Sequence, residues 1–323
     1  MLNIIRVPLR LSLAGGGTDV EPYSSRFGSE ILNFTIDKFI TSEVITSSNN
    51  KFSLSINGEN DSIFVNKLRD QIQKWLPKMK KKEIDGLEVQ INSPVRPGSG
   101  LGASSAMVVA TITLLNEYLC LDLDKLEIAK QALFLERQGM QIEGGFQDQF
   151  SASFTGFNHI SYYNNTFSIN HLSLRPDFIN LFNSSLIVVD LGIDRKGEDI
   201  IREQTERVTR SNKKTIEALH RQKFLVGQMK TSLLEENIER LGELLEIAWQ
   251  TKKMFSPRIS NKRIDFLHEQ FMSNGAYGMK VSGAGGGGHV FALINPDLKN
   301  SFVNLVNKLG VTSVETTVYG DNY

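Results

Sequence analysis

A chain of 323 residues, 40% apolar and 22% charged, has an ordinary globular composition that excludes wholesale disorder and collagen-like repetition. Its 36 Lys+Arg balance 36 Asp+Glu, so no net charge draws it to nucleic acid or to an anionic membrane. The single cysteine, Cys120, excludes an internal disulfide framework and fits a reducing cytoplasm.

The length suggests two domains, and a boundary near 170–184 separates two strand-rich regions, giving expected halves of 1–180 and 181–323. No apolar run approaches the roughly 20 residues of a membrane-spanning helix. Arg6 and Arg10 interrupt any signal-peptide core at the N-terminus. The expectation is a soluble cytoplasmic protein, monomer or homodimer, with no nucleic-acid or membrane partner.

In chain order, Ile4–Leu13 reads as a strand running into Ala14-Gly15-Gly16-Gly17. Phe39–Ser47 and Lys51–Ile56 read as a pair of strands. Ile63–Leu76 is helical, followed by the basic loop Lys78–Lys82 and the short strand Leu87–Ile91. Ser104–Leu119 is a helix rich in small and apolar residues, and Asp124–Arg137 is another, with Asp124 placed to cap it. Phe150–Tyr163 alternates like further strands or a hairpin. Ser185–Leu191 is a buried strand, and amphipathic patterns follow at Glu198–Leu219, Ile238–Met254 and Asn261–Phe271. Strand Ala276–Ser282, strand His289–Ile294, helix Leu298–Leu309 and strand Thr312–Val318 complete an α+β second half.

Several chemistries are excluded by their missing patterns. There is no Gly-Lys dipeptide, hence no Walker A loop. The five histidines, at 159, 171, 220, 268 and 289, are scattered and show no His-Glu-x-x-His spacing. Gly98-x-Gly100-x-x-Ala103 and Gly283-x-Gly285-x-x-Gly288 match a dinucleotide fingerprint by letters. Neither has the strand–glycine–helix context that fingerprint needs, so NAD binding is kept only as a minor alternative.

Three glycine clusters remain. In Pro97-Gly98-Ser99-Gly100-Leu101-Gly102-Ala103-Ser104-Ser105-Ala106, three glycines let backbone N–H groups approach an anion, and the helix that follows turns its positive end toward it. In Pro8–Asp19, Arg10 alternates with apolar neighbours and Asp19 lies beyond a glycine turn, where it can accept sugar hydroxyls. The third cluster is Gly283–Gly288. Phosphoryl transfer needs one carboxylate near Mg²⁺ and often one near the attacking hydroxyl; Glu136 and Asp148 are such a pair, though taken alone they read as two solvated surface acids.

Together, Pro8–Asp19, Pro97–Ala106 and Val281–Gly288 resemble the three motifs of the GHMP kinase superfamily, in that order across nearly the whole chain. Ala14-Gly15-Gly16-Gly17-Thr18-Asp19 with Gly144-Gly145-Phe146-Gln147-Asp148-Gln149 resembles the D-glycero-D-manno-heptose 7-phosphate kinases and, less closely, fucokinase domains. Galactokinases would show Gly-Glu-His before the Thr-Asp, which is absent. The resemblance implies an α+β, two-domain GHMP kinase fold. Its N-terminal domain would be ribosomal protein S5 domain 2-like, with a left-handed β-α-β crossover, and its C-terminal domain ferredoxin-like.

The resemblance also implies an ATP- and Mg²⁺-dependent kinase acting on a small sugar phosphate. Asp148 would be the catalytic base and Arg10 the basic residue beside it. Pro97, Gly98, Ser99, Gly100, Leu101, Gly102, Ala103, Ser104 and Ser105 would hold ATP. Ser104 and Glu136 would serve the metal. Gly16, Gly17, Thr18, Asp19, Gly285, Gly286 and Gly287 would contact the substrate. Ala103 stands where the family often has serine, so only its backbone N–H would serve. Lys38, Arg26, Lys252 and Lys253 are the basic candidates for the substrate's own phosphate. Another GHMP sugar kinase, or a non-catalytic sugar-binding regulator of this fold, is the alternative.

Overall fold

Leu9, Leu11 and Leu13 alternate with Arg10 and Ser12 along strand β1 (Ile4–Ala14), and both sets are buried. The strand is therefore covered on both faces, which puts a guanidinium inside the protein. The computed structural model describes residues 4–46, 51–79, 86–193 and 197–320. The expected basic loop Lys78–Lys82 falls largely outside them. The chain forms two compact units, leaving and re-entering each. One runs to Leu9 and takes in Lys38–Arg96 and Gly102–Phe154; the other holds Arg10–Asp37, Pro97–Leu101 and the chain from Thr155 onward.

After the one-and-a-half turns of α1 (Tyr23–Phe27), β2 extends from Ser29 to Thr46. It starts well before the expected Phe39. The early part carries buried Ser29, Asn33 and Thr35 among Ile31, Phe34 and Ile36, so it lacks the polar–apolar alternation of a half-exposed strand. β3 (Ser53–Ile56), α2 (Ile63–Trp75) and β4 (Leu87–Asn92) follow. The expected pairing of β2 with β3 does not form. β4 pairs antiparallel with β2, Thr41 opposite Asn92, and parallel with β3, Ser53 opposite Glu88. The parallel β3–β4 pair needs a crossover, and α2 supplies it with Val65, Leu68, Ile72 and Trp75 buried.

The core helix of this unit is α3 (Ala103–Leu119), buried over most of its circumference. α4 (Lys125–Phe134) begins at Asp124 with a reciprocal capping box to Glu127, as its sequence signals. It ends in a single π turn, Leu135–Gly139. α5 (Gln147–Ser153) then takes in Phe150–Ser153, the start of the stretch expected to be strand. Ser151 and Ser153 return their hydroxyls to the carbonyls of Gln147 and Gln149, which lets serine-rich sequence stay helical.

In the second unit β5 (Phe157–Tyr163) and β6 (Thr166–His171) form a hairpin, and β5 pairs antiparallel with the early part of β2. α6 (Pro176–Ser185) starts with proline in its first turn and leads to the buried β7 (Leu186–Asp190). The expected single helix over Glu198–Leu219 is two, α7 (Gly197–Thr209) and α8 (Lys213–Leu234). Ser211 turns left-handed, and the Asn212 side chain caps α8 by accepting from Thr215 N. α9 (Ile238–Lys252), α10 (Lys262–Ser273), β8 (Ala276–Val281), β9 (His289–Ile294), α11 (Lys299–Lys308) and β10 (Thr312–Ser313) complete the unit.

Its sheet has the order β10-β7-β9-β8 with every neighbouring pair antiparallel, the ferredoxin-like arrangement. β10 is shorter than expected because the chain leaves the sheet: Thr316 and Thr317 bond to Asp37, and Val318 bridges Ile36. Trp249, Phe255, Phe271 and Phe302 anchor the core beneath. Among the described residues, no helix is long and apolar enough to cross a membrane.

Candidate active site

The second glycine cluster is tied down by its carbonyls. Ser99 O accepts from His289 N at 3.0 Å and from His289 Nδ1–H at 2.8 Å. Gly100 O accepts from Arg10 Nη1 at 2.6 Å and from Ser282 Oγ at 2.8 Å. Leu101 O accepts from Arg10 N at 3.1 Å. Leu101 N donates to Ser99 Oγ at 3.4 Å; with three successive carbonyls also bonded to the protein, the glycine amides are the groups this loop can offer a ligand. Gly100 adopts φ +77, and a Cβ there would lie 2.6 Å from Ser282 O. A Cβ on Gly288 would lie 2.5 Å from Ser99 O, so the third cluster's glycine is the clearance for the second. Chain continuity carries the loop through Gly102 into α3, whose N-terminus has no side-chain cap. Of its residues Pro97, Gly98 and Ser104 are exposed, Gly100 and Gly102 half-buried, and Ser99, Leu101, Ala103 and Ser105 buried.

Around the first cluster, Gly17 N donates to Asp19 Oδ1 at 2.9 Å. Thr18 is fully buried and closes the turn through its hydroxyl, 2.8 Å from Gly15 O and 2.8 Å from Ser29 Oγ. Gln204 of α7 donates to Gly17 O, and Gln222 of α8 accepts from Gly15 N. In the third cluster Gly286 N donates to Ile259 O at 2.6 Å, Gly285 packs on Ile259, and Gly287 is buried.

Two lysines hold backbone here as well. Lys252 donates to Gly283 O, and Lys280, 1% exposed, donates to Ser12 O at 2.5 Å. Burial first, then the charges of Lys252 and Arg10, pushes the Lys280 ammonium well below the usual lysine range. Arg10, Lys252 and Lys280 thus each bond a carbonyl of a different glycine cluster. Arg26 reaches Val208 O, Lys253 lies over the Trp249 ring at 5.7 Å, and Lys38 is half-buried.

In the first unit the structure brings Ser104, Ser105 and Glu136 together. Glu136 is 1% exposed. Its Oε1 accepts from Ser104 Oγ at 2.9 Å, and its Oε2 from Ser105 Oγ at 2.7 Å and Gln149 Nε2 at 2.6 Å. Asp148 is the second residue of α5 and half-buried. Sequence reasoning missed His289, Gln149, Gln204, Gln222 and Lys280. For the last three, a polar residue on an otherwise apolar face was the available signal.

The family description for GHMP kinases, N terminal domain, matches residues 65–156, and that for GHMP kinases, C terminal, matches residues 229–311. The D-glycero-alpha-D-manno-heptose 7-phosphate kinase of Campylobacter jejuni is 32% identical over 94% of this chain and 92% of its own. The chain belongs to the GHMP kinases. Its fold is the two-domain α+β fold of that family. A solved D-glycero-D-manno-heptose 1-phosphate kinase from Bacteriodes thetaiotaomicron shares it with a TM-score of 0.79 at 24% identity, covering 99% of this chain and 97% of that one. The galactokinase of Lactococcus lactis, solved with galactose, shares it with a TM-score of 0.78 at 17% identity, covering 98% and 93%.

The Glu136 cluster of this GHMP kinase suits a hard cation: one carboxylate, two hydroxyls, and the buried Gln149 Oε1, which has no hydrogen-bond partner. Among the described residues no group of three or more His, Cys, Asp or Glu gathers. Mg²⁺ held here would therefore take most of its oxygens from a phosphate ligand and water. Glu136→Gln tests this. The variant sets an amide nitrogen against the Gln149 or serine donors, costing about 1–3 kcal/mol of stability. It should also raise the Mg²⁺ concentration for half-maximal rate at fixed ATP. An unchanged Mg²⁺ dependence would assign the metal to another carboxylate.

Proposed function

We propose that this GHMP kinase transfers the γ-phosphoryl group of ATP to the anomeric hydroxyl of D-glycero-D-manno-heptose 7-phosphate, giving the 1,7-bisphosphate. The kinase chemistry rests on one observation above others: three successive carbonyls are bonded inward, which leaves the loop's glycine amides and the uncapped end of α3 for the ATP phosphates, while Leu101 N is held by Ser99 Oγ. The sugar rests on the likeness to the Campylobacter jejuni enzyme.

Asp148 takes the proton of the anomeric hydroxyl as its oxygen forms the new bond to phosphorus and ADP departs. Arg10, 5% exposed and fixed by Gly100 O and Ser282 Oγ, supplies a preoriented positive charge to the transferring group. Ser104 and Glu136 would hold Mg²⁺, which would supply positive charge to offset that of the phosphates during transfer. Gly16, Gly17, Asp19 and the Gly285–Gly287 turn meet the sugar, with Thr18 acting through the shape of its turn. Of the four basic candidates for the substrate's phosphate, Lys252 is the one bonded to a motif backbone.

The test is kcat/KM for heptose 7-phosphate against free heptose, fucose and galactose, each with ATP and Mg²⁺. The remote phosphate contributes binding that positions the reacting oxygen. Its loss should lower kcat/KM by at least about tenfold, roughly 1.4 kcal/mol. Fucose or galactose as the best substrate would overturn the choice of sugar and leave the kinase reading in place.

A further inference from the structure

Arg137 belongs to no glycine cluster, yet it is the side chain around which the segment before Asp148 is wrapped. The π turn Leu135–Gly139 places Glu136 and Arg137 side by side after α4. The Arg137 guanidinium donates from Nε at 3.0 Å and Nη2 at 2.7 Å to Gly145 O, and from Nη1 at 3.2 Å to Ile142 O. Nη1 also lies 3.4 Å from Glu136 Oε1. Ile142 N in turn donates to Glu136 O at 3.1 Å, closing the loop at its base.

Gly144 makes this wrap possible. A Cβ there would stand 2.6 Å from both Cζ and Nη2 of Arg137. Gly145 O is the last carbonyl before Phe146, the residue that caps α5, and Asp148 is two residues into that helix. A planar, five-donor guanidinium holds two carbonyls in a preorganised relation that the rotatable donors of an ammonium fix less rigidly.

We infer that Arg137 is a positioning residue: by clamping Ile142–Gly145 across Gly144, it sets the direction in which α5 starts and so where the Asp148 carboxylate lies relative to Glu136. The inference rests on Asp148 being the base of the proposed reaction. Small displacements of a reacting group can cost about 10²-fold in rate.

The experiment is a double-mutant cycle with ATP, Mg²⁺ and heptose 7-phosphate, on Arg137→Ala, Asp148→Asn and their combination. Arg137→Lys and Gly144→Ala are measured in parallel. Arg137→Ala should lower kcat by about 10–100-fold with both KM values within about twofold, and added guanidinium should restore part of it. Arg137→Lys should recover little, and Gly144→Ala should mimic the loss with Arg137 in place. In the Asp148→Asn background, removing Arg137 should cost almost nothing further. Backbone hydrogen exchange over residues 142–148 should quicken in Arg137→Ala whether or not the sugar is turned over.

Unchanged exchange there would overturn the inference. So would an Arg137→Ala loss that vanishes when rates are normalised to folded protein, or one that adds fully to Asp148→Asn. Near wild-type turnover in Asp148→Asn alone is a different result: it would overturn the base assignment on which the inference stands.

Discussion

Asp148→Asn should lower kcat by about 10²–10⁴-fold, the usual contribution of a positioned general base. The substitution keeps the shape of the side chain and removes its charge and its ability to take a proton. α5 should persist, because its serine back-bonds and the burial of Phe146 and Phe150 do not involve the carboxylate. The loop Gly98–Leu101, proposed above to meet the ATP phosphates, is held by His289, Arg10 and Ser282, so ATP affinity measured by calorimetry should stay within about twofold of wild type. A variant with near wild-type turnover would show that another group takes the proton.

Gly100→Val should weaken nucleotide binding by more than about tenfold. Gly100 sits at φ +77, where a β-branched residue is strained by roughly 1–2 kcal/mol. The new Cβ would also stand 2.6 Å from Ser282 O and 3.1 Å from Ser282 C. Both are backbone atoms, so no rotamer change relieves the contact. Either the loop lifts from Ser282, losing the bonds that turn its carbonyls inward, or β8 and the third glycine cluster shift. Both outcomes misdirect the amides. ATP affinity should fall by more than about tenfold while far-UV circular dichroism stays native-like, since the core around Trp249, Phe271 and Phe302 includes no residue of the Gly98–Gly102 loop. Undiminished ATP binding in a folded variant would show that the loop serves only the fold.

Much of this was legible because it is local. Asp124 announces the start of α4, and Gly98-Ser99-Gly100-Leu101-Gly102 ahead of small residues announces the start of α3. What stayed hidden depends on partners far along the chain. His289 reads as a lone histidine at the start of a strand until Ser99 O is seen on its ring nitrogen. Gly288 is required by Ser99 and Gly100 by Ser282, and no periodicity encodes such pairs. The early half of β2 hides its strand because buried Asn33 and Thr35 erase the alternation. Arg137 looks like an ordinary charge at a helix end. Only the absent Cβ of Gly144 and the two carbonyls it binds reveal its work.

The most direct measurement is phosphorus NMR of the product made from heptose 7-phosphate and ATP with Mg²⁺ and this enzyme. A second sugar phosphorus, coupled to the anomeric proton, should grow in step with ADP, and at least about 10²-fold more slowly in Asp148→Asn. ADP formation without a sugar ester, or an ester at any carbon other than the anomeric one, would contradict the proposed transfer.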